Sequence, residues 1–336
     1  MSLVITGSVA FDAIETPFGK TDKIVGGAAT YASLAASYFY DQVKVVSVVG
    51  DDFPEEDIQN FEEHGIDVEG IQIKSGEKSF FWAGKYHNDM NSRDTLTTDL
   101  NVLADFDPVI PNSYQDCEFL LLGNLTPEVQ QTTIKRLKKR PKLIVMDTMN
   151  FWMDIAMDSL LETIKMVDVI TINDAEARQL SGEYSLVKAA HKILQMGPSY
   201  VIIKKGEHGA LLFHDKHIFS APGLPLAEVF DPTGAGDTFA GGFIGYLAKV
   251  DTINFNNMKN AIIYGSVLAS FCVEQFGTEK IKNLTDFDIA ERVQEFVKLS
   301  SFVILIKRGQ KNFCPRFIYI KLSVEFFYEL TNRRSL

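Results

Sequence analysis

The segment VFDPTGAGDTFAGGFIGYLA, residues 229–248, joins a glycine-rich turn to an amphipathic run. Gly234, Ala235 and Gly236 are small enough to let backbone N–H groups approach a ligand closely, and the apolar residues that follow have helical spacing. A helix that begins after such a turn is an anion site, because its first N–H groups and its dipole both favour negative charge. Asp237 lies in that first turn, where it would repel a bound phosphate unless it has a chemical role.

The rest of the chain alternates short apolar runs with helical patterns. Runs such as VKVVSVVG, KLIVMDT and YVIIKKG have the composition of strands, and GGAATYASLAASYFY and FPEEDIQNFEEHG have helical spacing. This alternation predicts βα units around a mostly parallel sheet that is buried on both faces. We therefore predict an α/β protein with three α/β/α layers.

Two segments, residues 11–25 and 71–103, break this rhythm with strand-like alternation and no helix. They predict a small antiparallel sheet that forms a lid over the site, and an edge extension of the main sheet is the alternative. Ligands of parallel sheets bind beyond the carboxyl ends of the strands. The residues predicted to close those strands are Asp12, Gly123, Asn124, Asp147, Asn173 and 204–206.

The composition of the 336 residues, 46% hydrophobic and 23% charged, is typical of a globular protein. Because no apolar run approaches the roughly 18 residues of a membrane span and the first residues lack a secretory pattern, we expect a cytoplasmic protein without a membrane partner. The net charge of −11 argues against nucleic acid as a partner. The three cysteines and six histidines show no spacing typical of a metal site.

Asp237 beside an anion site fits phosphoryl transfer. A carboxylate there can accept the proton of an attacking hydroxyl, while the N–H groups of residues 234–237 stabilise the charge on the transferred group. Helix capping is the alternative role for Asp237, but it does not explain three small residues in a row. A Walker loop needs a lysine after the second glycine, and a dinucleotide fingerprint needs glycine where this chain has Phe239.

The segment DPTGAGDTFAGGF resembles the C-terminal signature of the ribokinase-like (PfkB) family of carbohydrate and nucleoside kinases. Three further motifs resemble that family in their order and spacing: Gly26 and Gly27 at the start of the first helix, Asn173 and Glu176 in an N-x-x-E pattern, and the lysine-glycine of VIIKKGEHGALLF. The resemblance covers residues 1–298. It implies the ribokinase-like fold and an ATP-dependent kinase with an alcohol group as acceptor.

The resemblance also implies roles for individual residues. Asp237 corresponds to the catalytic base, and the anion hole for the γ-phosphoryl group corresponds to Gly234, Ala235 and Gly236. Contacts to the acceptor correspond to Asp12, Gly26 and Gly27. Contacts to the nucleotide correspond to Asn173, Lys204, Gly206 and the glycines of the anion hole. Asn173 and Glu176 share one helix face and correspond to the pair that organises Mg²⁺, largely through water.

Several of these positions have alternatives. Asn173 and Glu176 also fit a plain helix start whose acid is favoured by the dipole, and Lys204 also fits a solvated strand end. Many relatives use a monovalent cation such as K⁺ near the anion hole, and Asp231 and Thr233 are where this chain would hold one. A homodimer formed through the lids is a further expectation from the family.

The chain departs from the family pattern where the acceptor is expected to bind. Tyr31 stands where sugar kinases of the family often carry Asn, and its ring could stack on a base or fill the pocket. In the predicted lid, Asn91 and Arg93 could hydrogen-bond substrate hydroxyls or a phosphate, although an exposed turn is an equal alternative. The aromatic lid residues Phe80, Phe81 and Trp82 favour tolerance of a nucleoside.

We expect a kinase domain over residues 1–300 and an atypical, basic, strand-prone extension over residues 301–336, which has seven Lys or Arg against two Glu. The leading hypothesis is ATP-dependent phosphorylation of a hydroxymethyl group of a small sugar. The alternative within the family is a ribonucleoside kinase. The alternative from another class is a non-catalytic sensor that binds a sugar or nucleotide, and the glycine spacing disfavours a nicotinamide oxidoreductase.

Overall fold

The structure of the chain is a computed structural model in which residues 2–301 are described. Its strands are β1 (Leu3–Thr6), β2 (Ala10–Thr16), β3 (Gly19–Lys20), β4 (Ile24–Gly26), β5 (Val43–Gly50), β6 (Ile66–Lys74), β7 (Phe81–Tyr86), β8 (Arg93–Asp99), β9 (Phe119–Leu122), β10 (Leu143–Asp147), β11 (Val169–Asn173), β12 (Tyr200–Lys204), β13 (Ala210–His214) and β14 (His217–Ala221). Its α-helices are α1 (Ala28–Ser37), α2 (Glu55–Glu63), α3 (Pro127–Lys135), α4 (Asn150–Ile155), α5 (Met157–Ile164), α6 (Asp174–Ser181), α7 (Leu186–Leu194), α8 (Ala235–Val250), α9 (Phe255–Cys272), α10 (Glu279–Lys282) and α11 (Asp286–Ser300).

The main sheet has nine strands in the order β14-β13-β12-β11-β10-β9-β1-β5-β6. All neighbours from β12 to β6 pair in parallel, and β13 and β14 add an antiparallel edge. Successive residues point to opposite faces, so Leu3 and Ile5 join the core under α1, α8 and α9, whereas Val4 joins the core under α5, α6 and α7. The predicted three-layer architecture with a mostly parallel sheet is confirmed.

A second, smaller sheet, which we call the small sheet, has the order β3-β2-β7-β8, with β4 also paired to β2. The β2–β7 pairing is parallel and the others are antiparallel. The predicted segment 11–25 supplies β2, β3 and β4. The start of the predicted segment 71–103 instead continues β6 in the main sheet, because the pairing with β5 extends to Gly50 and Lys74.

The prediction that Asp12 closes the first main-sheet strand was wrong, because residues 3–12, LVITGSVAFD, contribute to two strands and not to one. Strand β1 ends at Thr6, and Asp12 lies on β2 of the small sheet. The break has a physical reason, since Ser8 must satisfy the first N–H groups of α1. The Ser8 hydroxyl accepts from Ala28 N at 3.0 Å, and the Ser8 carbonyl accepts from Ala29 N at 2.9 Å.

Within residues 2–301, none of the helices combines the length and the apolar character that a membrane span requires. Cys117 and Cys272 are buried and form no disulfide. The predicted extension over residues 301–336 lies outside the described residues, except for Ser301.

Candidate active site

The glycine loop, residues 231–236, leads into α8 and keeps part of its backbone available to a ligand. Gly234 is the N-cap residue of α8 and has a left-handed φ of 74°. The Ala235 N–H is directed at the Pro232 carbonyl at 3.3 Å, which closes the turn. Within the described part of the chain, the N–H groups of Gly234 and Gly236 have no protein acceptor. Two of the three predicted anion-hole amides are therefore free to bind an anion.

The side chain of Tyr31 packs against the glycine loop at Gly234. Its side chain is 1% exposed, and a Cβ atom on Gly234 would lie 2.4 Å from Tyr31 Cγ. The ring therefore fills the space behind Gly234. A stacking role for Tyr31, which the sequence left open, does not fit this position, because the glycine backbone covers the ring.

Asp237 is half-buried in the first turn of α8. Burial, reinforced by the negative charge of Asp147, raises its pKa from 3.8 to about 7, although Lys204 and Arg93 act in the opposite direction. A carboxyl group with this pKa exchanges a proton readily at neutral pH. It is therefore suited to general base catalysis.

Lys204 closes β12 and reaches across the end of β11 to Asp147, which closes β10. Lys204 Nζ lies 3.1 Å from both Asp147 carboxylate oxygens. Burial lowers the pKa of Lys204, but Asp147, Glu176 and Asp237 outweigh it and raise the pKa above its usual value. Because the Lys204 side chain is only 18% exposed, it is not a solvated strand end. The sequence analysis predicted that Asp147 closes a strand, but it did not predict the ion pair with Lys204.

Asp12 lies on β2 against the turn that opens α1. Its carboxylate accepts a hydrogen bond from the Gly27 backbone and packs against Gly26. Burial, followed by the charges of Asp231 and Asp237, raises the Asp12 pKa from 3.8 to about 7. The structure thus brings Asp12 and both glycines of the predicted acceptor site together, close to the glycine loop.

Asn173 and Glu176 form a reciprocal capping box at the start of α6. Asn173 Oδ1 accepts from Glu176 N at 2.8 Å, and Glu176 Oε2 accepts from Asn173 N at 2.7 Å. Burial raises the Glu176 pKa from 4.5 to about 7, with Lys204 acting against it. The pair therefore does form the helix start that was the alternative, but the capping box uses only Oε2 of Glu176 and does not involve Oε1.

The residues around this pair do not form a direct metal cage. Within residues 2–301, no group of three or more His, Cys, Asp or Glu side chains is arranged to ligate an ion. A hydrated ion fits better, because Mg²⁺ retains several waters and needs few protein ligands.

Asp231 and Thr233 anchor the glycine loop. Asp231 is 1% exposed, and its two carboxylate oxygens accept from Thr233 N at 2.8 Å and from Gly277 N at 2.9 Å. The Thr233 carbonyl accepts from Cys272 Sγ at 3.5 Å. These bonds give both residues a structural role, and their role as monovalent cation ligands stays a prediction.

The β7–β8 hairpin of the small sheet reaches the site at two points. Thr233 Oγ1 donates to the Tyr86 hydroxyl at 3.2 Å, and a Cβ atom on Gly206 would lie 2.9 Å from Asn91 Oδ1. Arg93 pairs with Tyr86 across the hairpin and hydrogen-bonds to it. The Arg93 guanidinium lowers the pKa values of three carboxyl groups, Asp12, Glu176 and Asp237. Tyr86 was missed, since nothing in the sequence distinguishes it from other strand aromatics.

Comparisons with known proteins agree with this geometry. The sequence profile described as pfkB family carbohydrate kinase matches residues 2–284. A cytidine kinase of Thermococcus kodakarensis is 32% identical over 248 residues, which cover 73% of this chain and 87% of the relative. A ribokinase of Lactococcus lactis is 26% identical over 282 residues, 83% of this chain and 89% of the relative.

The fold is similar to that of a solved nucleoside kinase from Methanocaldococcus jannaschii, with a TM-score of 0.70 at 20% identity, covering 88% of this chain and 99% of the other. The likeness shows the fold, and the profile match and the 32% identical relative show the family. The chain belongs to the pfkB family of carbohydrate kinases and is an ATP-dependent kinase with an alcohol group as acceptor.

Proposed function

We propose that the acceptor is a ribonucleoside, whose hydroxymethyl group receives the γ-phosphoryl group of ATP with Asp237 as general base. The observation that carries the transfer step of this proposal is the half-buried Asp237 carboxyl beside the unbonded N–H groups of Gly234 and Gly236. The carboxylate can then take the proton of the attacking hydroxyl while the two neighbouring N–H groups stabilise the transferred phosphoryl group.

The mechanism follows from the state of each group. Ionised Asp237 accepts the proton of the acceptor hydroxyl, and its raised pKa lets it keep that proton at neutral pH. The Gly234 and Gly236 amides and the Lys204 ammonium stabilise the charge on the phosphoryl oxygens. Asp12, beside Gly27, accepts hydrogen bonds from other hydroxyls of the acceptor.

Mg²⁺, when bound, screens the charge of the nucleotide phosphates. Asn173 and Glu176 would hold it through water, since the capping box fixes Glu176 Oε2 and leaves Oε1 without a hydrogen bond among the described residues. The raised pKa of Glu176 supports this assignment, because a buried carboxyl gains most when a cation stabilises its ionised form.

A nucleoside rather than a bare sugar is supported by Trp82. In the parallel β2–β7 pairing, Trp82 lies opposite Asp12, so the two side chains share one face of the small sheet. The half-buried indole lies on the same side of the small sheet as Asp12, with the Arg93 guanidinium 5.6 Å from its ring centroid, and a base stacked on such a ring gains about 1–3 kcal/mol. The name of the 32% identical relative, cytidine kinase, agrees.

A small sugar is the second candidate acceptor. It is supported by the ribokinase that matches most of the chain and by the Asp12 carboxylate beside Gly26 and Gly27, which can accept hydrogen bonds from sugar hydroxyls without any contact to a base. The two candidates differ in whether binding needs the Trp82 ring. Replacing Trp82 by leucine is expected to weaken nucleoside binding and to leave the KM for ribose unchanged.

An ADP-release screen tests the proposal. Cytidine, uridine, adenosine, ribose and fructose are compared at saturating ATP and Mg²⁺. We expect a kcat/KM for at least one nucleoside about tenfold or more above that for ribose, the scale of discrimination that one well-filled pocket provides. Asp237→Asn should lower kcat by about 10² or more while ATP still binds. Asp105→Asn, at an exposed position, is the control.

The outcomes separate the hypotheses. ADP release with ribose alone would favour the sugar, and ligand-induced stabilisation without any ADP release would favour a non-catalytic sensor. An Asp237→Asn variant with normal turnover would remove Asp237 as the base.

We further propose, from the family resemblance, that K⁺ binds near Asp231 and Thr233, that the chain forms a homodimer through the small sheet, and that it works in the cytoplasm. Replacing K⁺ by choline in the same assay tests the first point. Sedimentation of the full chain tests the second.

A further inference from the structure

The second glycine of the loop lies against a lysine. Gly236 does not adopt a left-handed backbone conformation, so its φ does not require glycine. A Cβ atom on Gly236 would lie 3.1 Å from Lys204 Nζ. The absence of a side chain at 236 therefore lets the ammonium group of Lys204 approach the loop whose amides face the transferred phosphoryl group.

The position of that ammonium group is set by Asp147. Both carboxylate oxygens lie 3.1 Å from Nζ. Asp147 is itself fixed, because Thr171 Oγ1 lies 3.2 Å from Asp147 Oδ1 and Gln130 Nε2 donates to the Asp147 carbonyl at 2.9 Å. The side chains of Lys204 and Asp147 are 18% and 10% exposed, so water competes little with the pair.

We propose that Asp147 is a positioning residue for phosphoryl transfer, which fixes the Lys204 ammonium against Gly236, where it contacts the transferred group as a catalytic residue. The inference rests on the proposed function. A free lysine side chain carries about 2 kcal/mol of rotamer entropy. A cation that is already aimed stabilises the developing charge without reorganisation, which is the most effective form of electrostatic catalysis.

The pair also acts on the base. The charged or titratable groups that interact with Asp237 are Asp147, Lys204, Arg93, Asp12, Tyr31 and Cys272. Among the charges that shift the Asp237 pKa, Asp147 raises it most and Lys204 follows by lowering it. Removing the charge of Asp147 should therefore lower the Asp237 pKa even if Lys204 also moves away, whereas removing Lys204 should raise it.

The experiment compares Asp147→Asn and Lys204→Met with the wild type, using the best acceptor from the ADP-release screen. We expect Lys204→Met to lower kcat by about 10², as loss of one charge-stabilising donor does. Asp147→Asn should lower kcat by about tenfold, less than Lys204→Met does, because the ammonium group remains but is held less precisely, and the acceptor KM should change little. The acidic limb of kcat/KM should move to lower pH in Asp147→Asn and to higher pH in Lys204→Met.

A control breaks a more exposed lysine–aspartate pair at the other end of the same strand. Lys142, just before β10, forms an ion pair with Asp251 at 2.9 Å. Asp251→Asn should leave both kcat and the pH profile unchanged. A purely structural role for Asp147 would lower stability without moving the acidic limb.

The double variant Asp147→Asn/Lys204→Met keeps the test decisive if Asp147→Asn alone folds poorly, because neutralising both members of a buried pair is far less costly than removing one. Asp147 is proposed to affect kcat at the pH optimum by positioning Lys204, so the double variant should have the kcat of Lys204→Met there and no lower value. Three results would overturn the inference. The first is a double variant whose loss of kcat is the product of the two single losses, and the second is a normal kcat for Asp147→Asn. The third is a shift of the acidic limb in the same direction in both single variants. Failure of the proposed function looks different, because the wild type itself would then release ADP with ribose alone or with no acceptor at all.

Discussion

Gly234→Ala is expected to damage both the fold and the reaction, for two separable reasons. The φ of Gly234 is 74°, and a residue with a Cβ atom pays about 1–2 kcal/mol to adopt this conformation. The new methyl group would also lie 2.4 Å from Tyr31 Cγ, and the ring cannot retreat because it is 1% exposed. Overpacking of this kind costs a further 1–3 kcal/mol or so.

The sum predicts a loss of about 2–5 kcal/mol in the free energy of unfolding, seen as a fall in Tm of about 5 °C or more. The strain also displaces the Gly234 and Gly236 amides from the phosphoryl group. A displacement of about 1 Å at a catalytic group lowers turnover about 10²-fold. We therefore expect ADP release to fall much more than the population of folded enzyme does.

Gly65→Ala is the matched control. Gly65 has a φ of 73°, and nothing lies within 4 Å of the Cβ atom that it would gain. It should cost the conformational strain alone and leave kcat unchanged. In a Tyr31→Leu background, Gly234→Ala should cost about as little as Gly65→Ala. The reasoning is refuted if Gly234→Ala in the wild type is no more destabilising than Gly65→Ala and retains normal turnover.

Three further predictions concern charge, the small sheet and the metal. The pKa values of Asp12 and Glu176 are raised to about 7 in the folded state, so the folded enzyme binds more protons than the unfolded chain between about pH 4 and 7. Their contribution to stability is complete below that range and is lost as the pH rises through 7. Thermal melts of the ligand-free enzyme should therefore show a Tm that falls as the pH rises, and this fall should be smaller in Asp12→Asn. Tyr86→Phe removes the 3.2 Å hydrogen bond from Thr233 and the contact of the hydroxyl with Arg93, and it should lower kcat about 2- to 10-fold with a fall in Tm of a few degrees, whereas an equal kcat would exclude a catalytic role for these contacts. Chelation of divalent cations by EDTA should abolish ADP release, and Mg²⁺ in excess should restore it, whereas full activity in EDTA would contradict the metal assignment.

The parts of this enzyme that follow from the sequence are those encoded locally. The α/β alternation predicted the three layers, and the glycine loop with Asp237 was predicted because a tight turn and the helix that it opens are neighbours in the chain. The break between β1 and β2 was not predicted, because its cause is Ser8, which caps a helix 20 residues further on.

Contacts between distant segments could not be predicted from one sequence. Lys204 and Asp147 are 57 residues apart, and Thr233 and Tyr86 are 147 residues apart. Each of these residues looks like an ordinary strand end or strand aromatic until the sheet order is known. The strand-end rule placed Asp147, Asn173 and Lys204 at one edge of the sheet, where the structure has them, but it could not show which of these side chains are in contact.

The structure explains how an acid can stand inside an anion site. The N-terminal end of α8 favours the ionised form of Asp237, but burial and Asp147 prevail and raise the pKa to about 7. At neutral pH a large fraction of the molecules therefore presents an uncharged carboxyl to an incoming phosphate, and repulsion is reduced. Once a nucleotide is bound, its negative charge raises the proton affinity of Asp237 further. The negative charge of the phosphates, which disfavours the ionised form of Asp237, thus makes the Asp237 carboxylate a stronger base toward the acceptor hydroxyl.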